Sequence, residues 1–248
     1  MTVFVQLSDV HILEGEGELL GARPAENLRR VVARIGELPV VPEFCLISGD
    51  LAQESGVEGY RFLKGLLEPL VERGIPILVG MGNHDQRAAF REGFLGEAGG
   101  DERPYFHAAT LGGVRILMLD TLIPGAIEGM VGEEQLGWLA EQLGQESEAE
   151  TIVVLHHPPA FTGLGEGHLR DAEALRGVLE GRRVLGVLAG HVHLAGATMF
   201  AGTIASSAPA VVFQLVAEGE GGMRVVQGSG FNLCTVRDGV LLVNPVMV

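Results

Sequence analysis

The sequence predicts an α/β fold (α+β in some classifications), and three observations predict it. Apolar runs of strand length alternate with longer segments of helical period. The 248 residues are 47% hydrophobic, ample for a sizeable buried core. The polar residues of chemical interest gather where the strands stop. Val3–Leu7, Phe44–Ile47, Ile75–Val79, Arg115–Leu119, Thr151–Leu155 and Val184–Leu188 read as strands. Between them, Pro24–Leu38 opens on a proline suited to a first helical turn. Gly56–Val71 and Glu133–Leu143 also read as helices, the latter with Leu136, Leu139, Ala140 and Leu143 on one face. This alternation implies βαβ crossovers. Past Thr198 the runs shorten (Val211–Val216, Met223–Val226, Phe231–Val236, Val240–Val243), which predicts antiparallel strands on the same core. No linker, repeat or low-complexity stretch interrupts the chain, so one domain over residues 1–248 is expected.

Charge and composition narrow the partners. Lys and Arg total 17 against 32 Asp and Glu, a net charge of −15. Such a surface repels a phosphate backbone, and no basic cluster compensates locally, so nucleic acid is disfavoured as a partner. A small anionic substrate remains compatible, because bound metal ions can be the largest local charges. No apolar run is long enough to span a membrane, and the N-terminus enters a strand pattern without signal-peptide grammar. The expected compartment is the cytoplasm. Cys45 and Cys234 read as small buried hydrophobes.

Function is written in the strand ends. The first strand runs into Ser8-Asp9-Val10-His11, the second into Ser48-Gly49-Asp50, the third into Gly80-Met81-Gly82-Asn83-His84-Asp85. Thr151–Leu155 runs into His156-His157-Pro158-Pro159, and Val184–Leu188 into Gly190-His191-Val192-His193. In open α/β sheets the C-terminal strand edge is where ligands bind. A single Asp or His after a strand is ordinarily a turn former or helix cap. Five such ends in chain order, holding six of the eight histidines, exceed what turn chemistry explains. Carboxylate, amide and imidazole ligands without thiolate suit first-row ions such as Fe, Mn, Zn or Co. Two ions roughly 3.5–4 Å apart would need a bridging carboxylate and would clamp a phosphoryl group undergoing displacement. Gly49, Gly80, Gly82 and Gly190 predict close backbone approach around the site.

The ordered set Asp9-x-His11, Gly49-Asp50, Gly82-Asn83-His84-Asp85, His156 and Gly190-His191-x-His193 resembles the calcineurin-like metallophosphoesterases. Asn83-His84-Asp85-Gln86-Arg87, Leu119-Asp120-Thr121 and Glu134-Gln135-Leu136-x-Trp138-Leu139 further resemble the bacterial class III cyclic-nucleotide and glycerophosphodiester phosphodiesterases. The resemblance implies a four-layer αββα sandwich, two divalent or trivalent metal ions, and a homodimer. It implies one ion on Asp9, His11, Asp50 and His193 and a second on Asp50, Asn83, His156 and His191. Asn83, His84 and His193 would then face the substrate, a small phosphodiester attacked by a bridging hydroxide. His84 would be the catalytic residue, donating a proton to the departing alkoxide or stabilising charge on a phosphoryl oxygen. A phosphomonoesterase, a nucleotide pyrophosphatase and a non-catalytic scaffold are the alternatives. His157 reads as a residue that orients ligands, and His107 and His168 as structural or solvated. One departure stands out: Gln53 occupies the place of the Asp that supports the catalytic histidine in the family's protein phosphatases, which leaves the support of His84 unassigned. Glu14–Gly21, Pro158–Arg170 and Ser206–Pro209 are the candidate loops over the substrate.

Overall fold

Side-chain alternation along the first strand sets the layers. The computed structural model describes residues 1–160, 162, 168–218 and 222–248. Strand β1 (Thr2–Leu7) turns Val5 and Leu7 to one face, where they pack with Leu28, Val31 and Ile35 of α1 (Pro24–Gly36). The same layer includes Leu63, Leu67 and Leu70 of α2 (Val57–Val71). Phe4 faces the other way and stacks on Phe44, just before β2 (Cys45–Ser48). Across that interface lie Ile116 of β5 (Val114–Met118), Ile152 of β6 (Glu150–Val154) and Leu188 of β7 (Gly186–Ala189). Beyond them Leu117, Val153 and Val187 meet Leu139 of α4 (Gly132–Gly144) and Leu175 and Leu179 of α5 (Ala172–Leu179). Helices, sheet, sheet, helices: the αββα sandwich is present. A strand buried on both faces is mostly apolar, which is why these runs read as continuous rather than alternating. The buried Gln6 of β1 is satisfied by Ser48, the Ala189 carbonyl and Asn232.

The first sheet has the order β13-β12-β1-β2-β3, with β3 at Ile77–Gly80, β12 at Gly230–Arg237 and β13 at Val240–Met247. β1, β2 and β3 are parallel, so their C-terminal ends share one edge. The second sheet has the order β4-β5-β6-β7-β9-β8, adding β4 (His107–Leu111), β8 (Gly196–Phe200) and β9 (Thr203–Ser207). Here β5, β6, β7 and β9 are parallel. A separate ribbon pairs β10 (Gln214–Glu218) with β11 (Gly222–Val226). The short α3 (Arg87–Phe90) continues into a π-turn at Arg91–Leu95. None of the described helices is long and apolar enough to cross a membrane.

The tail departs from the expected pattern in one respect. β10–β11 and β12–β13 are antiparallel, and β12 registers on β1 with Phe4 opposite Cys234. β9 instead lies parallel to β7 and extends the second sheet. The residues between His193 and Ala210 therefore belong to the sandwich.

Candidate metal centre

The parallel strands of both sheets release their ligand-type residues at the same end of the sandwich. Asp9 and His11 follow β1, Asp50 follows β2, and Asn83 and His84 follow β3. His156 and His157 follow β6, and His191 and His193 follow β7. Backbone bonds lock the loops together: Val10 and His11 N–H donate to the Asp50 carbonyl, and Val212 N–H to that of Asp9. A Cβ on Gly82 would strike Asp50, and one on Gly190 would strike Ser8, so the predicted close approach is real at both positions. Five non-glycine residues here adopt left-handed backbone: Asp9 (φ 54°), His11 (50°), Asp50 (49°), His191 (72°) and His193 (49°). Each costs roughly 1–2 kcal/mol relative to ordinary backbone, and such strain clusters at functional sites.

Three imidazoles are oriented by the same device. His11 Nδ1 lies 2.7 Å from Gln53 Oε1, His156 Nδ1 2.8 Å from the Ser48 carbonyl, and His193 Nδ1 3.0 Å from the Phe213 carbonyl. An oxygen of that kind only accepts, so each Nδ1 carries the proton and each Nε2 is turned inward. His156 Nε2 is 3.2 Å from Asp50 Oδ2, yet buried without a hydrogen-bond partner. His11 Nε2 approaches Asp50 Oδ2 at 3.5 Å, and His193 Nε2 approaches Asp9 Oδ1 at 3.4 Å. The Nε2 atoms of His11 and His193 face one another at 3.1 Å. Two lone pairs at that separation demand a positive charge between them or on one of them. On the other side of Asp50, His191 Nδ1 lies 3.0 Å from Asn83 Oδ1. Asp9, His11 and His193 converge as one metal-type cluster, and Asp9, Asp50 and His156 as another. The donor set therefore fits cations; Asp50 also groups with His11 and His84, and His156 with His157 and His191.

Titration follows the same geometry. Burial alone would raise both carboxyls, but His193 holds Asp9, and His156 and His11 hold Asp50, below the ordinary carboxylate range. Against burial, Asp50 raises His156 to about 9, and Asp9 raises His193. Burial pushes His11 down to about 4 and, with His156 nearby, His191 to about 3. The carboxylates thus favour the protonated forms of His156 and His193, positive charge that metal ions would displace.

Several neighbours have defined roles. Both nitrogens of His157 are engaged, Nδ1 with Thr121 Oγ1 at 2.7 Å and Nε2 with the Ile127 carbonyl at 3.0 Å, so its ring buttresses His156 and His191. The Asp85 carboxylate accepts from Leu51, Ala52 and Gly82 N–H and from Tyr60 O–H, clamping the Asp50 loop to the Asn83 loop. Arg87 reaches across to the second sheet, donating two bonds to Asp120 and one to the Leu122 carbonyl. Gln53, which the sequence placed where a supporting Asp would stand but gave no role, spans His11 and His84 with its amide. His107 sits on β4, away from the cluster. His168 is different: its ring lies 5.2 Å from that of His191, and it lines the cavity beside the metal-type residues. The Gly129–Leu169 bridge brings it there, a tertiary contact without a local sequence signal.

That cavity, about 470 Å³, has one polar wall of His11, Asp50, Asn83, His84, His191 and His193. Its other wall is apolar, with Leu19 and Leu20 from the predicted Glu14–Gly21 loop, Phe213 just before β10, and Leu215, Met223 and Val225 from the β10–β11 ribbon. Ser206–Pro209 does not line it; Ser206 and Ser207 border a different hollow, with Pro158 and Pro159. Within Pro158–Arg170, residues 161 and 163–167 lie outside the described residues.

A sandwich of this topology, with histidines and carboxylates converging from both sheets, defines a metallophosphoesterase. A family model described as calcineurin-like phosphoesterase matches residues 2–195, and the chain belongs to that family. A cAMP/cGMP dual specificity phosphodiesterase of Mycobacterium tuberculosis is 36% identical over 241 residues, spanning 94% of this chain and 76% of the relative. A 3′,5′-cyclic adenosine monophosphate phosphodiesterase of Pseudomonas aeruginosa is 30% identical over 77% of this chain and 69% of its own. The purple acid phosphatase of yellow lupin seeds superposes with a TM-score of 0.66 at 14% identity. That match covers 98% of this chain and 51% of the lupin protein, about half its length, and shows the fold alone.

Proposed function

We propose that the chain is a phosphodiesterase with two first-row metal ions (Fe, Mn, Zn or Co), acting on small diesters such as 3′,5′-cyclic nucleotides. One ion would be held by Asp9, His11, Asp50 and His193, the other by Asp50, Asn83, His156 and His191. The observation that carries the reading is the paired set of inward Nε2 atoms on either side of Asp50 Oδ2. Bound ions of this class polarise phosphoryl oxygens and make water nucleophilic at neutral pH. Asn83, His84 and His193 share the cavity's polar wall and would orient the phosphoryl group. The apolar wall suits the organic part of a diester, and the two cyclic-nucleotide relatives support that substrate class. No lysine or arginine stands among the described lining residues to pair with the second charge of a monoester dianion.

The test is a comparison of kcat/KM for bis(p-nitrophenyl) phosphate and p-nitrophenyl phosphate after loading with manganese, alongside 3′,5′-cAMP. Diesters are expected to be turned over faster. A clear excess for the monoester overturns the assignment.

A further inference from the structure

We infer that Gln53 is a positioning residue that fixes His84 as a neutral imidazole with its proton on Nε2. His84 then stabilises charge on a phosphoryl oxygen and keeps its proton, leaving protonation of the departing alkoxide to another source. The inference rests on the metal-dependent phosphodiesterase reading, which sets His84 against a phosphoryl group and gives His11 Nε2 to a metal ion.

The logic starts at the neighbouring imidazole. As a metal ligand in the reading above, His11 gives Nε2 to an ion beside Asp50 and His193, so its proton sits on Nδ1. That proton needs an acceptor, and Gln53 Oε1 lies 2.7 Å away. The amide orientation is thereby set, and its nitrogen faces His84 Nδ1 at 3.1 Å. An amide nitrogen only donates, so His84 Nδ1 must accept and its single proton sits on Nε2. A charged His84 would oppose an N–H to the amide N–H at that distance. Glu54, the nearby carboxylate, is 3.7 Å from His84 Nδ1 and largely exposed, beyond hydrogen-bond reach. The Gln53 backbone is anchored by its N–H to the Ile12 carbonyl at 2.9 Å, so the amide projects from a fixed point.

Chemistry then chooses between the two roles open to His84. A neutral imidazole that gave up its Nε2 proton would become imidazolate, a poor product for a proton donor. As a hydrogen-bond donor it can still stabilise developing negative charge, an interaction worth about 10²–10³ in kcat when one such donor is removed. A donor to a phosphoryl oxygen is insensitive to the leaving group.

The discriminating variant is Gln53→Glu, nearly isosteric. Its carboxylate still accepts the His11 proton but offers no donor to His84, so the His84 proton is expected to move to Nδ1. NMR of histidine-labelled, zinc-loaded protein reads this directly, with the His84 signals assigned by their loss in His84→Ala. The expected result is Nε2–H on His84 in the unmodified chain, Nδ1–H in Gln53→Glu, and an unchanged His11. In turnover, His84→Ala is expected to lose the same factor with an alkyl diester as with a p-nitrophenyl diester. Gln53→Glu should reproduce most of that loss with metal content retained, and adding it to His84→Ala should cost nothing further. A proton on His84 Nδ1 in the unmodified chain overturns the inference. So does a markedly larger loss for the alkyl diester, or loss of metal from Gln53→Glu. If the unmodified chain hydrolyses no diester, the phosphodiesterase reading fails, while the spectra still decide the tautomer.

Discussion

Removing Arg87 should cost about 3–5 kcal/mol of folding stability, most of it because Asp120 is left behind. The guanidinium donates to both Asp120 oxygens at 2.7 and 2.9 Å and to the Leu122 carbonyl at 2.7 Å. Both side chains are buried, 7% and 0% exposed, so water cannot replace the lost partner. In Arg87→Ala the carboxylate keeps only the N–H groups of Tyr105 and Leu122, at 2.7 and 3.0 Å. A one-sided loss in so dry a place sits near the upper part of that range. In Arg87→Ala/Asp120→Asn, by contrast, both charges disappear together, and removing a buried pair as a unit costs less than stranding one partner. The double variant should therefore lose at least about 2 kcal/mol less than the sum of the single losses. Urea unfolding of metal-free protein, followed by circular dichroism, measures all three. Strictly additive losses, or a loss below 1 kcal/mol for Arg87→Ala, would refute the claim that this pair ties the Asn83 loop to the second sheet.

Three other outcomes are expected. Asp50→Ala should lose both ions, with partial occupancy of one site at most, since two cations without the intervening carboxylate repel at short range; mass spectrometry counts the metal. His157→Phe should cost about 1–3 kcal/mol, because it strands the buried Thr121 hydroxyl and removes the bond to the Ile127 carbonyl, yet leave the metal count at two. Burial pushes the Cys45 thiol up to about 12 and raises Cys234 further, so neither should react with a thiol reagent at pH 8 until the chain is unfolded. The sign for stability follows: the neutral thiol is favoured by folding, so the Cys45 contribution is complete below the unfolded thiol's pKa of about 8.5 and disappears as pH rises toward 12.

Most of the sandwich was legible because its central strands are apolar on both faces and their boundaries fell within two or three residues of expectation. β3 begins at Ile77 rather than Ile75, and β7 at Gly186 rather than Val184. Helix α5 escaped notice because its eight residues bury only Leu175 and Leu179, too few to show a helical stripe. β8 and β9 escaped because small residues make up much of both strands, a weak strand signal that neighbouring strands override. The strand-end rule brought Asp9, His11, Asp50, Asn83, His84, His156, His191 and His193 into one cluster. It had no means of finding His168 or the relation of Gln53 to two histidines, because both depend on how loops from different strands meet.

The left-handed backbone at Asp9, His11, Asp50, His191 and His193 sets stability against activity. Glycine at any of these positions would relax the chain by roughly 1 kcal/mol and delete a candidate ligand in the same stroke. Under selection for folding alone, substitutions of that kind would be favoured and the centre would drift away one loop at a time, leaving an intact sandwich with an inert edge. A site built this way persists only under selection for what it does, and stabilising this scaffold by relieving its strained residues would disarm it.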